Sequence, residues 1–459
     1  MKLKKLKYNN ILYTLMLASI TSACGGAGSG PVTRSPAAAT PPVVVPTPTP
    51  TPTPLPDWDT AEYRENYSLE QMKAETAYEN DISGLGIIVA VIDSGVTEIP
   101  ELTGKLHPAS TNVATGSDAD TDDYNGHGTG IAGIIAARQD HATNNNVNNM
   151  HGVAFNAQIL AINATTSATC SEFGSCTFLH SDIAKGYDYA IANGADVVNE
   201  SLGSDSVSSF PLQQAMQRAV AADIVIVLPA GNIDVGVDPA GTGDSIQKSA
   251  EVAYAAWSNE QIIVAGSVDS NNQLSDFSYK AGANAKNVFL VVGANRIVVP
   301  DFNPGSGDSG YAYTTGTSGA TAHISGAVAL LREAFPGLDA RDTADLLFTT
   351  ATGLGDPGID NIYGRGLINL ESAFQAKGIL SIAGTGSIER ISIGSDGNVS
   401  SQNMILSGGA FGADISFGSA LENVMVLDKY DRSFSVDLSQ GIYLPQNSFS
   451  LDNFIEGGT

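Results

Sequence analysis

Short apolar runs alternate with longer runs of mixed polarity over most of the chain. Near-continuous Val and Ile runs are typical of parallel strands that are covered on both faces. They predict strands at 87–92, 158–162, 196–199, 224–228, 262–265 and 288–292. The amphipathic runs predict helices at 127–138, 181–193, 211–222, 318–335 and 339–349. The alternation therefore predicts an α/β fold, a parallel sheet with helices on both faces, that ends near residue 374.

The pattern changes on either side of this region. Residues 31–56 include the run PTPTPTPTPLP, which predicts an extended linker. Residues 57–80 predict a helix packed on the α/β region. Residues 377–459 contain short alternating runs such as SIERISIG, with Gly, Ser and Asn between them, and predict a short β-rich C-terminal extension. The α/β unit is thus expected to occupy residues 57–376.

Composition excludes some classes of partner. Of the 459 residues, 42% are hydrophobic and 15% charged, so most of the chain is expected to fold. Basic residues number 22 and acidic ones 48, a net charge of −26, which would repel a polyanion. No nucleic-acid partner is expected. The acidic stretch 117–123 would allow calcium, but a solvated loop is the simpler interpretation, and no metal or cofactor is predicted.

The N-terminus resembles a bacterial secretory signal. Lysines in the first ten residues precede an apolar stretch, 11–20, about half as long as the roughly 20 residues that span a bilayer. Residues 1–23 are therefore expected to be removed. Small residues before Cys24 and two glycines after it resemble a lipoprotein cleavage site, which predicts lipidation of Cys24 and a lipid-anchored, Pro-rich linker at 24–56. The alternative is ordinary cleavage nearby, with Cys24 an incidental thiol.

The remaining cysteines, Cys170 and Cys176, lie in one polar Gly/Ser/Thr-rich stretch. In an oxidising compartment two such neighbours are expected to pair, so the sequence predicts a disulfide between them.

Four polar residues occupy positions where open α/β sheets carry functional groups, at strand ends or where a helix begins. Asp93 closes IIVAVID, and His127 lies between glycines in NGHGTGIAG. Asn232 ends IVIVLPAGN, and Ser318 lies in TTGTSGATAH before a long apolar helix, whose N-terminus favours negative charge. Each also has an ordinary structural interpretation, as a cap, turn or loop residue.

The order of these residues along the chain discriminates between folds. A Gly-x-Ser-x-small sequence also fits the nucleophile elbow of α/β-hydrolases, but their triad runs Ser, acid, His. Here Asp93 and His127 precede Ser318, and the one later histidine, His323, is only five residues on in the same predicted helix. The order Asp, His, Ser on an α/β sheet is that of the subtilisin type. The remaining histidines lie in polar, loop-like sequence and are expected to be solvated: His107, His141, His151 and His180.

Residues 84–374 resemble a subtilisin-like serine peptidase in four segments, VAVIDSGV, GHGTGIAG, PAGN and GTSGATAHISG. The resemblance implies that Ser318 is the nucleophile, that His127 is the general base and then acid, and that Asp93 orients His127. Asn232 would donate to the oxyanion.

The resemblance also implies a substrate-binding set. Ser201, Leu202 and Gly203 match the segment that pairs with the substrate backbone by strand addition. The segment before Asn232 is expected at the substrate as well: Pro229, Ala230 and Gly231.

Three positions depart from the family pattern. Ala322 stands where a proline is usual, and Gly130 where a second histidine is usual; neither performs the chemistry, so activity is expected to survive. Glu200 precedes the Ser201–Gly203 segment, where an uncharged residue is usual. Two interpretations of Glu200 remain open, a buried paired carboxylate and a specificity feature.

These observations predict a secreted, membrane-tethered serine endopeptidase that acts on proteins or peptides through an acyl-enzyme. Its expected location is the bacterial outer membrane, cell surface or periplasm, or the medium after release. The signal, the linker and the tail resemble autotransporter passengers, but residues 377–459 are too few for their C-terminal anchor, so the chain is expected to be truncated or anchored differently. The rival is a catalytically idle surface adhesin on the same scaffold; the presence of all four chemical groups argues against it.

Overall fold

The computed structural model describes residues 58–116, 121–139, 150–170, 176–233, 243–303, 308–378, 380–382 and 424–436. The predicted signal and linker, including Cys24, lie outside the described residues, and so does His141.

A seven-stranded parallel sheet lies at the centre of the fold. Its strands are β1 (Ile88–Asp93), β2 (Thr111–Asn112), β3 (Gln158–Asn163), β4 (Val197–Asn199), β5 (Val225–Pro229), β6 (Ile262–Val268) and β7 (Phe289–Gly293). Their order across the sheet is β2-β3-β1-β4-β5-β6-β7. All six predicted strands are present, and the short edge strand β2 is an addition. The core strands are buried along almost their whole length, which explains their continuous apolar runs.

The helices predicted from amphipathic runs are also present. In chain order the helices are α1 (Ala61–Glu65), α2 (Tyr67–Gln71), α3 (Glu75–Tyr78), α4 (His127–Ala136), α5 (His180–Ala192), α6 (Phe210–Ala221), α7 (Gly282–Ala285), α8 (Thr317–Ala334), α9 (Ala340–Thr350) and α10 (Leu370–Ala373). The single helix expected at 57–80 is instead three short ones. Along the described part of the chain, every helix is too short or too polar to cross a bilayer.

Two helices show that both faces of the sheet are covered. Ser325 of α8 donates a hydrogen bond from Oγ to Asn199 Oδ1 (3.0 Å). Tyr187 of α5 donates its hydroxyl to Glu200 Oε2 (2.6 Å). Because successive residues of an extended segment point to opposite faces, α8 and α5 pack on opposite sides of the sheet at the end of β4. The predicted arrangement, helices on both faces, is confirmed.

An antiparallel hairpin that the pattern did not predict connects β7 to α8. It consists of β8 (Asn295–Asn303) and β9 (Asp308–Thr315). The hairpin packs on α4 so closely that a Cβ at Gly133 would overlap the ring of Pro300. The hairpin therefore braces the helix that begins with His127 and leads directly into the helix that contains Ser318.

The N-terminal helices pack on the same part of the fold. Asn66, between α1 and α2, donates from Nδ2 to His323 Nε2 of α8 (3.1 Å), and His323 donates from Nδ1 to the Gly319 carbonyl (2.8 Å). Burial lowers the pKa of His323 to about 4, so the ring is neutral at pH 7. Ser68 Oγ donates to the Gly293 carbonyl at the end of β7 (2.8 Å).

His151 corrects one prediction. It was expected in a solvated loop, but it is fully buried. Its ring packs among those of Tyr63, Tyr78 and Phe155, at centroid distances of 5.3–6.2 Å. The polar sequence around it could not reveal these partners, because two of them come from the N-terminal helices. Of the other histidines expected to be solvated, His107 and His180 are partly exposed.

The described part of the C-terminal extension is β-rich, as predicted. Strands β10 (Ser381–Ile382), β11 (Val424–Leu427) and β12 (Ser433–Val436) form an antiparallel sheet. We call residues 424–436 the C-terminal hairpin. Its Arg432 is buried, pairs with Asp428 (2.6 Å) and donates to the carbonyl oxygens of Ala373 (2.6 Å) and Gln375 (2.9 Å). The hairpin is thus docked on the end of α10.

Candidate active site

Asp93 and His127 lie together at the carboxyl edge of the sheet. Asp93 is the last residue of β1 and is 1% exposed. His127, the first residue of α4, donates from Nδ1 to Asp93 Oδ1 at 2.8 Å. The backbone N–H of Ser94 donates to the same oxygen at 2.7 Å. The backbone therefore holds the same carboxylate oxygen that directs the imidazole.

Glycines allow the start of α4 to approach this strand end. Gly126 has φ 90°, a left-handed conformation that strongly favours glycine. A Cβ at Gly128 would overlap the carbonyl oxygen of Gly95. The Gly-His-Gly sequence is thus needed to bring the His127 ring against Asp93.

A second buried carboxylate, Asp123, supports the pair, and sequence reasoning missed it. Asp123 is 2% exposed and accepts from the Thr129 backbone N–H and hydroxyl, both at 2.8 Å, through Oδ2. Its Oδ1 accepts from the Ser94 hydroxyl (2.8 Å), and Ser94 Oγ in turn accepts from the Gly128 N–H (3.1 Å). The solvated-loop interpretation of the stretch 117–123 is therefore wrong for Asp123. Residues 117–120 lie outside the described residues.

Three influences set the pKa of His127. Partial burial of the ring, whose side chain is 39% exposed, disfavours the charged form and lowers the pKa. The Asp93 carboxylate, as a charge and as a hydrogen-bond acceptor, raises the pKa, and the charge of Asp123 raises it further. The carboxylates outweigh the burial, so the pKa of His127 lies above its ordinary value of 6.5.

Ser318 is the second residue of α8 and is partly exposed. Its hydroxyl donates to the carbonyl oxygen of Ser201 at 3.1 Å, and the Ser201 hydroxyl donates to the carbonyl oxygen of Ser318 at 3.1 Å. No hydrogen bond joins Ser318 to His127 among the described residues. The structure thus brings Asp93 to His127 and Ser318 to Ser201 as two hydrogen-bonded pairs.

Asn232 is held beside the start of α8. Its Oδ1 accepts from the Thr317 backbone N–H (2.9 Å) and the Thr317 hydroxyl (3.1 Å). Because the amide oxygen is occupied in this way, the amide Nδ2 is the group left to donate to another molecule. Asn232 is exposed, and Thr317, the residue that it contacts, directly precedes Ser318, so this donor lies at the surface near Ser318.

The predicted substrate segments lie on either side of Gln247, a residue that sequence reasoning did not single out. Gln247 is 8% exposed and donates from Nε2 to the carbonyl oxygen of Pro229 (3.1 Å). A Cβ at Gly203 would overlap its side-chain oxygen, and a Cβ at Gly231 would lie 3.0 Å from its Cβ. Ala230 is fully buried. Gln247 therefore fills the space between the two segments.

A cavity of about 490 Å³ adjoins these groups. It is lined by Asp93 and His127, by Ser201, Leu202 and Gly203, and by Glu200. Glu200 is 4% exposed, and burial raises its pKa to about 7 although the hydrogen bond from Tyr187 lowers it. The first interpretation of Glu200 was a buried, paired carboxylate. The structure shows that Glu200 is buried, and that its partner is a tyrosine rather than a cation.

The two cysteines near the cavity form a disulfide in the structure, Cys170 with Cys176, with Cα atoms 4.1 Å apart. Cys176 lines the cavity. Within the described ranges, no group of three or more His, Cys, Asp or Glu side chains is arranged to hold a metal ion.

Comparison with known proteins adds to this geometry. A family model described as the subtilase family matches residues 84–366. The chain is 34% identical over 313 residues to subtilisin DY of Bacillus licheniformis, covering 67% of this chain and 98% of that protein. It is 34% identical over 308 residues to subtilisin Savinase of Lederbergia lenta, covering 67% and 97%.

Two further likenesses are more limited. An extracellular serine protease of Serratia marcescens is 30% identical over 373 residues, which cover 69% of this chain and 34% of that longer protein. A crystal structure of MycP1 with its N-terminal propeptide removed is 24% identical, with a TM-score of 0.53, and covers 68% of this chain and 97% of that one. This last likeness concerns the fold alone.

Proposed function

The chain belongs to the subtilase family, and from this premise we propose that it cleaves peptide bonds with Asp93, His127 and Ser318 as a catalytic triad. It is a subtilisin-like serine endopeptidase, so its substrates are proteins or peptides. The observation that best supports this proposed triad is the 2.8 Å hydrogen bond from His127 Nδ1 to the buried Asp93. It fixes the tautomer that leaves Nε2 free to accept a proton.

In the first half of the proposed reaction, Ser318 Oγ attacks the carbonyl carbon of the substrate and His127 Nε2 takes the hydroxyl proton. In the free enzyme this hydroxyl donates to the Ser201 carbonyl. The mechanism therefore requires the Ser318 side chain to turn to His127 when substrate binds; such hydrogen bonds commonly tighten only in the complex. Asp93 stabilises the imidazolium that forms. His127 then returns the proton to the leaving amine, which gives the acyl-enzyme.

In the second half, water attacks the acyl-enzyme carbonyl carbon, His127 takes the water proton, and Ser318 leaves with that proton restored. In both halves the carbonyl oxygen becomes negative. Asn232 Nδ2 and the backbone N–H at the start of α8 would donate to it, with the field of the helix N-terminus in support. The fixed amide oxygen of Asn232 supports this role, because it orients the donor before substrate arrives.

We further propose that the enzyme is secreted and tethered by a lipid on Cys24, or released from that tether. The relative from Serratia marcescens is named as an extracellular protease, which supports secretion. The signal-like residues 1–23, Cys24 and the Pro-rich run after it support the tether. A disulfide between Cys170 and Cys176 agrees with an oxidising compartment.

An organophosphonate probe tests the nucleophile. It should label the purified wild-type protein on Ser318, and Ser318→Ala should lose both the label and about 10⁶-fold in kcat for a peptide substrate. His127→Ala should cost nearly as much, because triad residues act as a unit. The matched control is Ser206→Ala, at an exposed loop serine, which should keep label and activity. Wild-type activity in Ser318→Ala would contradict the assignment, and an unlabelled, inactive wild-type protein would favour the idle-scaffold rival.

A further inference from the structure

We propose that Glu200 makes the cavity beside Asp93 and His127 a binding site for a cationic substrate side chain, Lys or Arg. This inference rests on the proposed function, because it assigns a specificity to that same site. Glu200 lies directly before the segment proposed to pair with the substrate backbone, Ser201–Gly203, so a side chain of bound substrate lies within reach of it.

The shape of the cavity suits a long side chain with an apolar stem. Its inner wall contains the buried apolar side chains of Ile183 and Leu212, which are 4% and 1% exposed. Leu202 and Phe178, which are partly exposed, stand nearer the surface. Lys and Arg bury aliphatic stems against apolar surface and keep a charged end for a polar partner. Glu200 is the anionic group on the inner wall that such an end would meet.

The Glu200 carboxyl lacks a charged partner within the described part of the chain. Oε2 accepts from the Tyr187 hydroxyl at 2.6 Å, while Oε1 has no hydrogen-bond partner there. No Lys or Arg of those residues forms an ion pair with it. Of the two imidazoles that line the cavity, His127 donates to Asp93, and His180 uses Nδ1 to accept from the Ser209 N–H (3.1 Å). A buried carboxylate with a single donor is costly, and a bound cation would supply the missing partner.

The fold does not need a charge at this position. The Tyr187 hydroxyl would be equally well served by a neutral acceptor such as the amide oxygen of Gln. The cavity also faces a second carboxylate, Asp93, so its electrostatic potential favours a cation over an anion. A purely structural role would explain the hydrogen bond to Tyr187 but not the acid.

Exposed apolar side chains flank the cavity and offer contacts to neighbouring substrate residues. The hydrogen bond between Ser209 and His180 joins the starts of α5 and α6. Next to these two residues stand Leu179, 59% exposed, and Phe210, 69% exposed. Both side chains are therefore open to contact by a bound substrate.

The test is a peptide scan at pH 9, where the Glu200 carboxyl, with its pKa raised to about 7 by burial, is ionised. The other titratable groups facing the cavity are Asp93, His127, His180 and, beneath Glu200, Tyr187. Peptides carry either lysine or its uncharged isostere norleucine at each position near the cleaved bond. We expect one position at which wild-type kcat/KM is at least about tenfold higher for lysine. Glu200→Gln should lower that lysine-to-norleucine ratio by at least about tenfold, to about 1 or below.

Two variants separate this role from general attraction and from misfolding. Asp205→Asn removes an exposed acid from the neighbouring loop and should leave the ratio unchanged. Tyr187→Phe keeps the carboxylate, so it should retain the preference for lysine. The inference is overturned if phosphonate-labelled, active wild-type enzyme shows no lysine preference, or if Glu200→Gln that still cleaves norleucine peptides keeps it. An unlabelled wild-type protein that cleaves no peptide would overturn the proposed function, and this inference with it.

Discussion

The buried pair Asp428–Arg432 should decide whether the C-terminal hairpin is part of the peptidase fold. The two side chains are 0% and 2% exposed. Arg432 donates to Asp428 through Nε (3.0 Å) and Nη2 (2.6 Å) and lies 4.6 Å from the Phe335 ring. Replacing Arg432 with Met keeps an unbranched apolar stem at this position but removes the guanidinium. The Asp428 carboxylate is then buried without its cation.

We expect Arg432→Met to lower the free energy of unfolding by about 3–5 kcal/mol, the usual cost of breaking a buried ion pair on one side. A second change, Asp428→Asn, removes the stranded charge and keeps an oxygen that accepts from the backbone N–H of Tyr430. The double variant should therefore be more stable than Arg432→Met by at least about 1 kcal/mol, since an uncompensated buried charge costs more than a neutral amide.

The assay is urea unfolding followed by the fluorescence of the two tryptophans, Trp58 and Trp257, neither of which lies in the hairpin. All variants are made in the Ser318→Ala background, so that self-cleavage does not contribute. If Arg432→Met costs less than about 1 kcal/mol, the hairpin does not stabilise the body of the enzyme. If the double variant is no more stable than the single one, the loss comes from the bonds to Ala373 and Gln375 rather than from the stranded charge.

Two further predictions concern catalysis and anchoring. His127, the proposed general base, must be neutral to accept a proton, and its neighbouring carboxylates raise its pKa. We therefore expect kcat/KM to fall as the pH drops through a value above 6.5, and Asp123→Asn to move that fall to lower pH. An unmoved profile in an active variant would remove Asp123 from this role. Cys24→Ser should shift the enzyme from the membrane fraction to the soluble fraction at unchanged specific activity, since stable attachment needs the acyl chains that lipoprotein processing adds; a variant that stays in the membrane fraction would contradict the lipid tether.

The central sheet was predictable because its strands are buried on both faces, so their sequences are apolar throughout. The hairpin of β8 and β9 was not, because Pro300, Asp301 and the glycines after them interrupt any regular alternation. The candidate triad was predictable from local sequence, since each residue lies at a strand end or a helix start that its own segment specifies. Its order along the chain then selected the fold type.

The supporting residues could not be found in the same way. Asp123 lies in a stretch rich in Asp and Thr, and its burial depends on Ser94, which is 29 residues away in sequence. Gln247 takes its role from groups on other elements, and the short sequence around it carries no sign of a pocket. Glu200 stands out in the sequence only as a charge where an uncharged residue is usual, and its partner Tyr187 lies on another element. Local pattern thus locates the candidate reacting groups, while their surroundings depend on tertiary contacts.

The packing of the N-terminal helices on β7 and α8 also has a kinetic consequence. Asn66 and its partner His323 are 257 residues apart, and Ser68 is 225 residues from Gly293. Helices as short as α1 and α2 are not stable alone in water. They therefore become stable only after the last third of the peptidase region, which supplies their contacts, has been synthesised. Contacts at such separation slow folding. Because α8, which contains His323, also contains the proposed nucleophile Ser318, we expect docking of the N-terminal helices and positioning of Ser318 to be one late event, which would keep a partly synthesised chain inactive.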